Sequence, residues 1–170
     1  MDPKDRRPAE WPDLDVEEIL RRLVAAGVDF VVVGGVAMIL LGSSRLTRDL
    51  DIMFAPDTVN LESLGEVLVG LEARLREVPD DVPFVADERT LANVELLTLD
   101  TSAGWLDVHR HLDGAPAYET LRRRAERQNL GDFSVLVASP DDMLAMKQAA
   151  GRAVDLADIE ELTAIKRLRH

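Results

Sequence analysis

Two aspartates at alternate positions of one apolar run, Asp49-Leu50-Asp51-Ile52-Met53-Phe54, constrain this chain more than any other feature. A strand has a side-chain period of two, so both carboxylates fall on one face, about 6 to 7 Å apart, and Leu50 and Ile52 fall on the other, toward a core. Like charges on one face repel unless a cation lies between them, and a divalent metal is the usual answer. Mg²⁺ suits such a site because it takes few carboxylates, keeps waters and fills its remaining positions with phosphate oxygens. Two such ions about 3.5 to 4 Å apart stabilise the attacking and leaving oxygens of a phosphoryl or nucleotidyl displacement.

What precedes these aspartates fits that chemistry. Val31-Val32-Val33 is a β-branched run expected of a strand buried on both faces, and Gly34-Gly35 ends it in a turn with room for a ligand. Val36 to Leu41 reads as about two turns of buried helix, stopped by Gly42-Ser43-Ser44. Arg45-Leu46-Thr47-Arg48 then leads into the acidic strand.

An apolar strand, Gly-Gly, thirteen residues and then Asp-apolar-Asp resembles the signature of the polymerase-β-like nucleotidyltransferase superfamily. Arg45-x-Thr47-x-Asp49-Leu50-Asp51 narrows the resemblance to the AbiEii-type and MenT-type branch, bacterial toxins of toxin–antitoxin pairs. A second stretch, Lys147, Arg152 and Asp155-Leu156-Ala157-Asp158-Ile159, resembles the further signature of the AbiEii-type branch. The resemblance implies an α/β, single-domain nucleotidyltransferase fold with a mixed central β-sheet flanked by helices. It also implies Mg²⁺, with Mn²⁺ as the alternative ion, a nucleoside triphosphate substrate, a tRNA 3′ end as acceptor and a cognate antitoxin protein. Two departures bear on nucleotide binding: the family often has Ser where Gly35 stands, and a basic residue where Val154 stands. A hydroxyl to phosphate would then come from Ser43 or Ser44, or be replaced by backbone N–H groups.

In chain order, residues 1–12 read as a charged, proline-rich arm and 13–170 as the nucleotidyltransferase domain. Val16, Ile19, Leu20, Leu23 and Val24 recur at helical spacing before Gly27. A helix is expected from Leu61 to about Leu75, capped by Thr58 or Asn60, and a loop over 78–87 with at most a short edge strand at Phe84-Val85. Val94 to Leu99 and Trp105 to His109 flank the turn-like Asp100 to Gly104 and read as a hairpin. Asp107, mid-strand between Leu106 and Val108, needs a partner if the strand is half buried. Its context matches the third acid of the superfamily, which completes the metal site and serves as general base; Asp113, in a glycine turn, is the weaker match. His109 and His111 lack the further Cys or His of a tetrahedral zinc set and read as imidazoles at the cleft or surface.

Ala117 to Asn129 is expected to be helical, its Arg122-Arg123-Arg124 triplet on the solvated side. Phe133 to Ala138 reads as a strand and Ser139-Pro140-Asp141-Asp142 as a capped helix start. Lys147 stands alone among small and apolar residues, so its ammonium is directed at a specific anion, by the resemblance the triphosphate. The terminal helix, expected from Asp158 to Arg169, carries acids first and bases last.

The residues put forward for chemistry are therefore Asp49, Asp51 and Asp107 for metal, with Lys147 joining them in catalysis. Gly34, Gly35, Ser43, Ser44, Arg45, Thr47, Lys147 and Arg152 are put forward for nucleotide binding. Absence of cysteine excludes a disulfide framework and a cysteine nucleophile. No window approaches the ~20 apolar residues of a membrane span, and the composition reads most simply as cytoplasmic. A net charge of −12 weighs against a surface that grips nucleic acid throughout, though not against a local basic patch. The same acidity would draw a cationic, aminoglycoside-like acceptor, so transfer to a small molecule or a protein side chain stands as the alternative. A partner-binding domain without catalysis is the remaining reading.

Overall fold

The computed structural model describes residues 13–79 and 81–169; the arm expected over 1–12 lies outside the described residues. The order of elements is α1 (Val16–Ala25), β1 (Phe30–Val33), α2 (Gly34–Leu40), β2 (Asp49–Phe54), α3 (Thr58–Gly70), β3 (Arg74–Leu75), α4 (Glu88–Ala92), β4 (Leu96–Thr101), β5 (Gly104–His109), α5 (Tyr118–Arg124), β6 (Glu126–Asn129), β7 (Ser134–Val137), α6 (Pro140–Ala150) and α7 (Ala153–Leu168). Seven strands form one mixed sheet in the order β3-β4-β5-β2-β1-β7-β6.

The apolar run of β1 is buried at all four positions because it is central, antiparallel to β2 on one side and parallel to β7 on the other. On β2, Leu50 and Ile52 are fully buried while Asp49 and Asp51 on the opposite face are half-buried. Register carries this alternation across the sheet. Leu50 and Ile52 lie opposite Leu106 and Val108 of parallel β5, which lie opposite Leu99 and Leu97 of β4. One hydrophobic cluster joins this face to Ile19, Leu20 and Leu23 of α1 and to Leu64 and Leu68 of α3.

Several elements differ from the sequence expectation, each for a local reason. No turn separates β1 from α2; the helix begins at Gly34 itself. Helix α3 is capped by Asp57, whose carboxylate accepts from Asn60 N–H, and ends at Gly70, with Glu72 at φ +54° turning the chain into β3. Asn60 is instead buried, its side chain bonding Asp29 and Ala55. No strand forms at Phe84-Val85, and α4, capped by Asp87, was not foreseen. The β4–β5 hairpin closes more tightly than expected, Thr101 pairing with Gly104. Residues 117–129 divide into α5 and the edge strand β6, since Gln128 and Arg127 pair with Val135 and Leu136 of β7. Helix α7 starts at Ala153, five residues before the expected Asp158.

The loop after β5 is fixed against α6 at Gly114. Its φ is +84°, and a Cβ there would run into the carbonyl oxygen of Ala145 and lie 2.8 Å from Ala149 Cβ. Gly114→Ala is therefore expected to destabilise the fold by about 3 kcal/mol, lowering the melting midpoint by roughly 6 to 12 °C. An unchanged midpoint would show that this loop is not seated on the helix.

Candidate active site

The parallel pairing of β2 with β5 brings three acids together. Asp51 lies opposite Asp107 in the β2–β5 register, with Asp49 one strand period away on the same face. Asp107 is buried, 9% exposed, and loss of hydration pushes its carboxyl up to about 7 from the ordinary 3.8. The charge of Asp51 adds to that rise, and Arg76 opposes it. Gly34 makes room beside Asp51: a Cβ at position 34 would lie 2.5 Å from Asp51 Oδ2, and the residue has φ +67°.

Two basic neighbours of these acids were not assigned from sequence. His109, two residues beyond Asp107 and on the same face, puts Nε2 2.9 Å from Asp51 Oδ1. Arg76 forms an ion pair with Asp107 Oδ1. Donor atoms of Asp51, Asp107 and His109 lie within 4.8 Å of one another, a group able to hold a metal ion. Period-two alternation from Asp107 was the one available signal for His109. Nothing local marked Arg76.

The acids form one wall of a cavity of about 480 Å³. Lys147 and Arg152, with Arg45, form its cationic side. Ser139 caps α6 by accepting from Asp142 N–H, and Pro140 occupies the first turn, so the helix runs to place Lys147 one turn before its end. Lys147 is only 8% exposed and pairs with Asp158 at 2.9 Å and Asp155 at 3.5 Å. Arg45 pairs with the same Asp158. Arg152 donates to both oxygens of Asp155 at 2.9 and 3.1 Å, and that bond holds the Asp155 carboxyl below the usual range. Three cations thus share two buried carboxylates, which leaves a formal surplus of one positive charge on this side.

Gly34, Gly35, Arg45, Thr47, Asp49, Asp51, Asp107, Lys147 and Arg152 all line this cavity, as does Asp113. Ser43 and Ser44 do not: Ser43 is buried and donates to Glu161 of α7 at 2.9 Å. The hydroxyl that faces Gly35 belongs to Thr47, whose Oγ1 would lie 2.7 Å from a Cβ at position 35. His111 is exposed and outside the cavity lining. In the Arg triplet, Arg122 bonds Asp29 and Arg124 bonds buried Asp142, each at 3.0 Å, so two of the three serve tertiary contacts.

A sequence model of the family "Nucleotidyl transferase AbiEii toxin, Type IV TA system" matches residues 18–160. A search of curated proteins found no match. Among solved structures, the lincosamide antibiotic adenylyltransferase LnuA in its lincomycin-bound form superposes with a TM-score of 0.59 at 19% identity, covering 91% of this chain and 99% of that one. The antibiotic-resistance factor ANT(2'')-Ia in solution gives 0.58 at 15% identity, over 91% and 82%. An antigenic nucleotidyltransferase-like protein from Paracoccidioides brasiliensis gives 0.50 at 18% identity, over 92% and 79%. At these identities the likeness is one of fold. No helix among the described residues is long and apolar enough to cross a membrane.

Proposed function

The chain belongs to the AbiEii nucleotidyl transferase toxin family of type IV toxin–antitoxin systems, and on that premise we propose that it transfers a nucleotide from a nucleoside triphosphate to the 3′ end of tRNA. It is a nucleotidyltransferase, and its family implies an antitoxin partner. The observation that carries the reading is the cavity itself, in which Asp51 faces Asp107 and Lys147, Arg45 and Arg152 line the same space. The tRNA acceptor, and with it the MenT-like branch, rests on the resemblance of Arg45-x-Thr47-x-Asp49-Leu50-Asp51.

The donor set fits a divalent ion: hard carboxylate oxygens from Asp51 and Asp107 and the imidazole of His109 form one group, and Asp49, outside that group but lining the same cavity, is proposed as a further carboxylate ligand. Mg²⁺ is the ion proposed; the nitrogen donor makes Mn²⁺ a close competitor. Bound there, it would supply Lewis-acid stabilisation of charge developing on the α-phosphate. Asp107 takes the proton of the acceptor hydroxyl as the new O–P bond forms and the α–β phosphate bond breaks. Lys147, Arg45 and Arg152 hold the charge of the departing pyrophosphate. Gly34 and Gly35 allow phosphates close to the backbone, and Thr47 supplies the hydroxyl beside them. The domain is proposed to run from 13 to 170.

The test is an incubation of the protein, and of an Asp49→Ala, Asp51→Ala double variant, with Mg²⁺, each labelled nucleoside triphosphate in turn, and total bacterial RNA. Label in tRNA-sized RNA with the parent alone is the expected result. A parallel incubation with aminoglycosides covers the reading favoured by the acidic wall and the net charge of −12. Label there and not in RNA would overturn the tRNA acceptor.

The elevated carboxyl of Asp107 gives a pH-dependent prediction. Between the unfolded value of 3.8 and the folded value of about 7, the unfolded chain ionises first, so folded-state stability declines as pH rises through this window. A metal ion must displace the proton below pH ~7 and relieves the repulsion above it. Mg²⁺ is thus expected to raise the melting midpoint more at about pH 8 than at about pH 6. Equal shifts would remove Asp107 from the metal site.

A further inference from the structure

Arg76 is not among the cavity's lining residues, yet it bonds the carboxylate at the centre of the acidic wall. It directly follows β3, and its backbone N–H donates to Thr98 O at 2.9 Å, so the sheet edge carries it. Its guanidinium pairs with Asp107 Oδ1, donates to Leu99 O at 3.3 Å and stacks on Trp105, with Cζ 4.5 Å from the ring centroid. The side chain is 15% exposed. Its Nε is buried with no hydrogen-bond partner, so the placement does not maximise the arginine's own bonding. What the placement secures is the orientation of Asp107.

That orientation needs securing. Asp107 faces Asp51 in the register, with Asp49 on the same face, and like charges at this range drive carboxylates apart. We propose that Arg76 is a positioning residue for nucleotidyl transfer: it anchors Asp107 through Oδ1, leaving Oδ2 for the acceptor, and as a resident cation it competes with the divalent ion for the same carboxylate. The inference rests on the metal-site reading above. It has two consequences of opposite sign. With the carboxylates ionised, as at about pH 8.5 where the binding is to be read, loss of Arg76 strengthens metal binding, because a competing positive charge is gone. The same loss slows transfer, because an unanchored carboxylate no longer meets the acceptor in register. A purely structural arginine would not separate these two effects.

The experiment compares the parent, Arg76→Met, Arg76→Lys and Asp51→Asn. Mn²⁺ binding is read from the electron paramagnetic resonance of the unbound ion, turnover from labelled nucleotide transfer, and folding from the melting midpoint. Arg76→Met is expected to bind Mn²⁺ about tenfold more tightly and to turn over at least about tenfold more slowly at saturating metal and nucleotide. Arg76→Lys, which keeps the charge but lacks the fork and the planar stack, is expected to recover parental metal affinity and only part of the rate. Parental affinity and rate in Arg76→Met would overturn the proposal. If that variant does not fold, a parental rate in Arg76→Lys would overturn the positioning role. Equal Mn²⁺ binding by the parent and Asp51→Asn would instead overturn the metal-site reading on which the inference stands.

Discussion

Asp51→Asn is expected to lower nucleotidyl transfer by about a thousandfold or more while leaving the melting midpoint unchanged or slightly raised. Asp51 is the meeting point of the acidic wall: it faces Asp107 across the β2–β5 pairing, contacts His109 Nε2 at 2.9 Å and sits against Gly34. Asparagine keeps the shape and an oxygen toward His109, so packing survives. It removes a charge that raises the carboxyl of Asp107, so the folded state loses a repulsion. The two readouts therefore diverge, which separates a functional carboxylate from a structural one. Turnover of a tenth of the parent's or more would refute the role given to Asp51.

The second large effect falls on stability. Asp155→Ala is expected to cost about 3 to 5 kcal/mol and to lower the melting midpoint by about 10 °C. Asp155 is fully buried and accepts from Arg152 N at 3.0 Å, from its Nε and Nη2, and pairs with Lys147 at 3.5 Å. The bond to its backbone N–H also closes the first turn of α7. Truncation leaves that end uncapped and a nearly buried ammonium with one carboxylate in place of two. Because Arg152 holds the Asp155 carboxyl below its ordinary value, its contribution is present above the unfolded pKa near 4 and is lost as pH falls through the lowered folded value. Acidification should then weaken the parent more than the variant. Parallel pH profiles of the two melting curves would contradict this account.

Local pattern sufficed for the residues whose geometry is local. Asp49 and Asp51 share a face because a strand alternates, Asp107 joins that face by the same rule, and Lys147 and Arg152 are recognisable by their motif; all five line one cavity. Arg76 escaped, and His109 was placed only at the cleft or surface without its partner, because both pairings depend on register. Arg76 meets Asp107 across 31 residues and His109 meets Asp51 across 58, and no sequence period encodes either pairing. The division of 117–129 into α5 and β6 was hidden for a related reason. Arg-Arg-Arg-Ala-Glu-Arg-Gln has good helix propensity up to Asn129, and it is pairing with β7 that draws its second half into the sheet. The place of Thr47, with its hydroxyl against Gly35, likewise follows from the path between α2 and β2.

Strand β2 sits in the interior of the sheet, its ladder bonded on both sides by β1 and β5, whereas Lys147 and Arg152 belong to the helical pair α6–α7 at the C-terminal end of the described chain. In the language of amide exchange, the acids stand in the unit expected to open last, and Lys147 and Arg152 in one expected to open more readily. Backbone protons of Leu50 and Ile52 should outlast those near Gly151 by orders of magnitude. On the function proposed above, the Lys147–Arg152 side would loosen to release pyrophosphate while the two acidic strands remain zipped through successive turnovers.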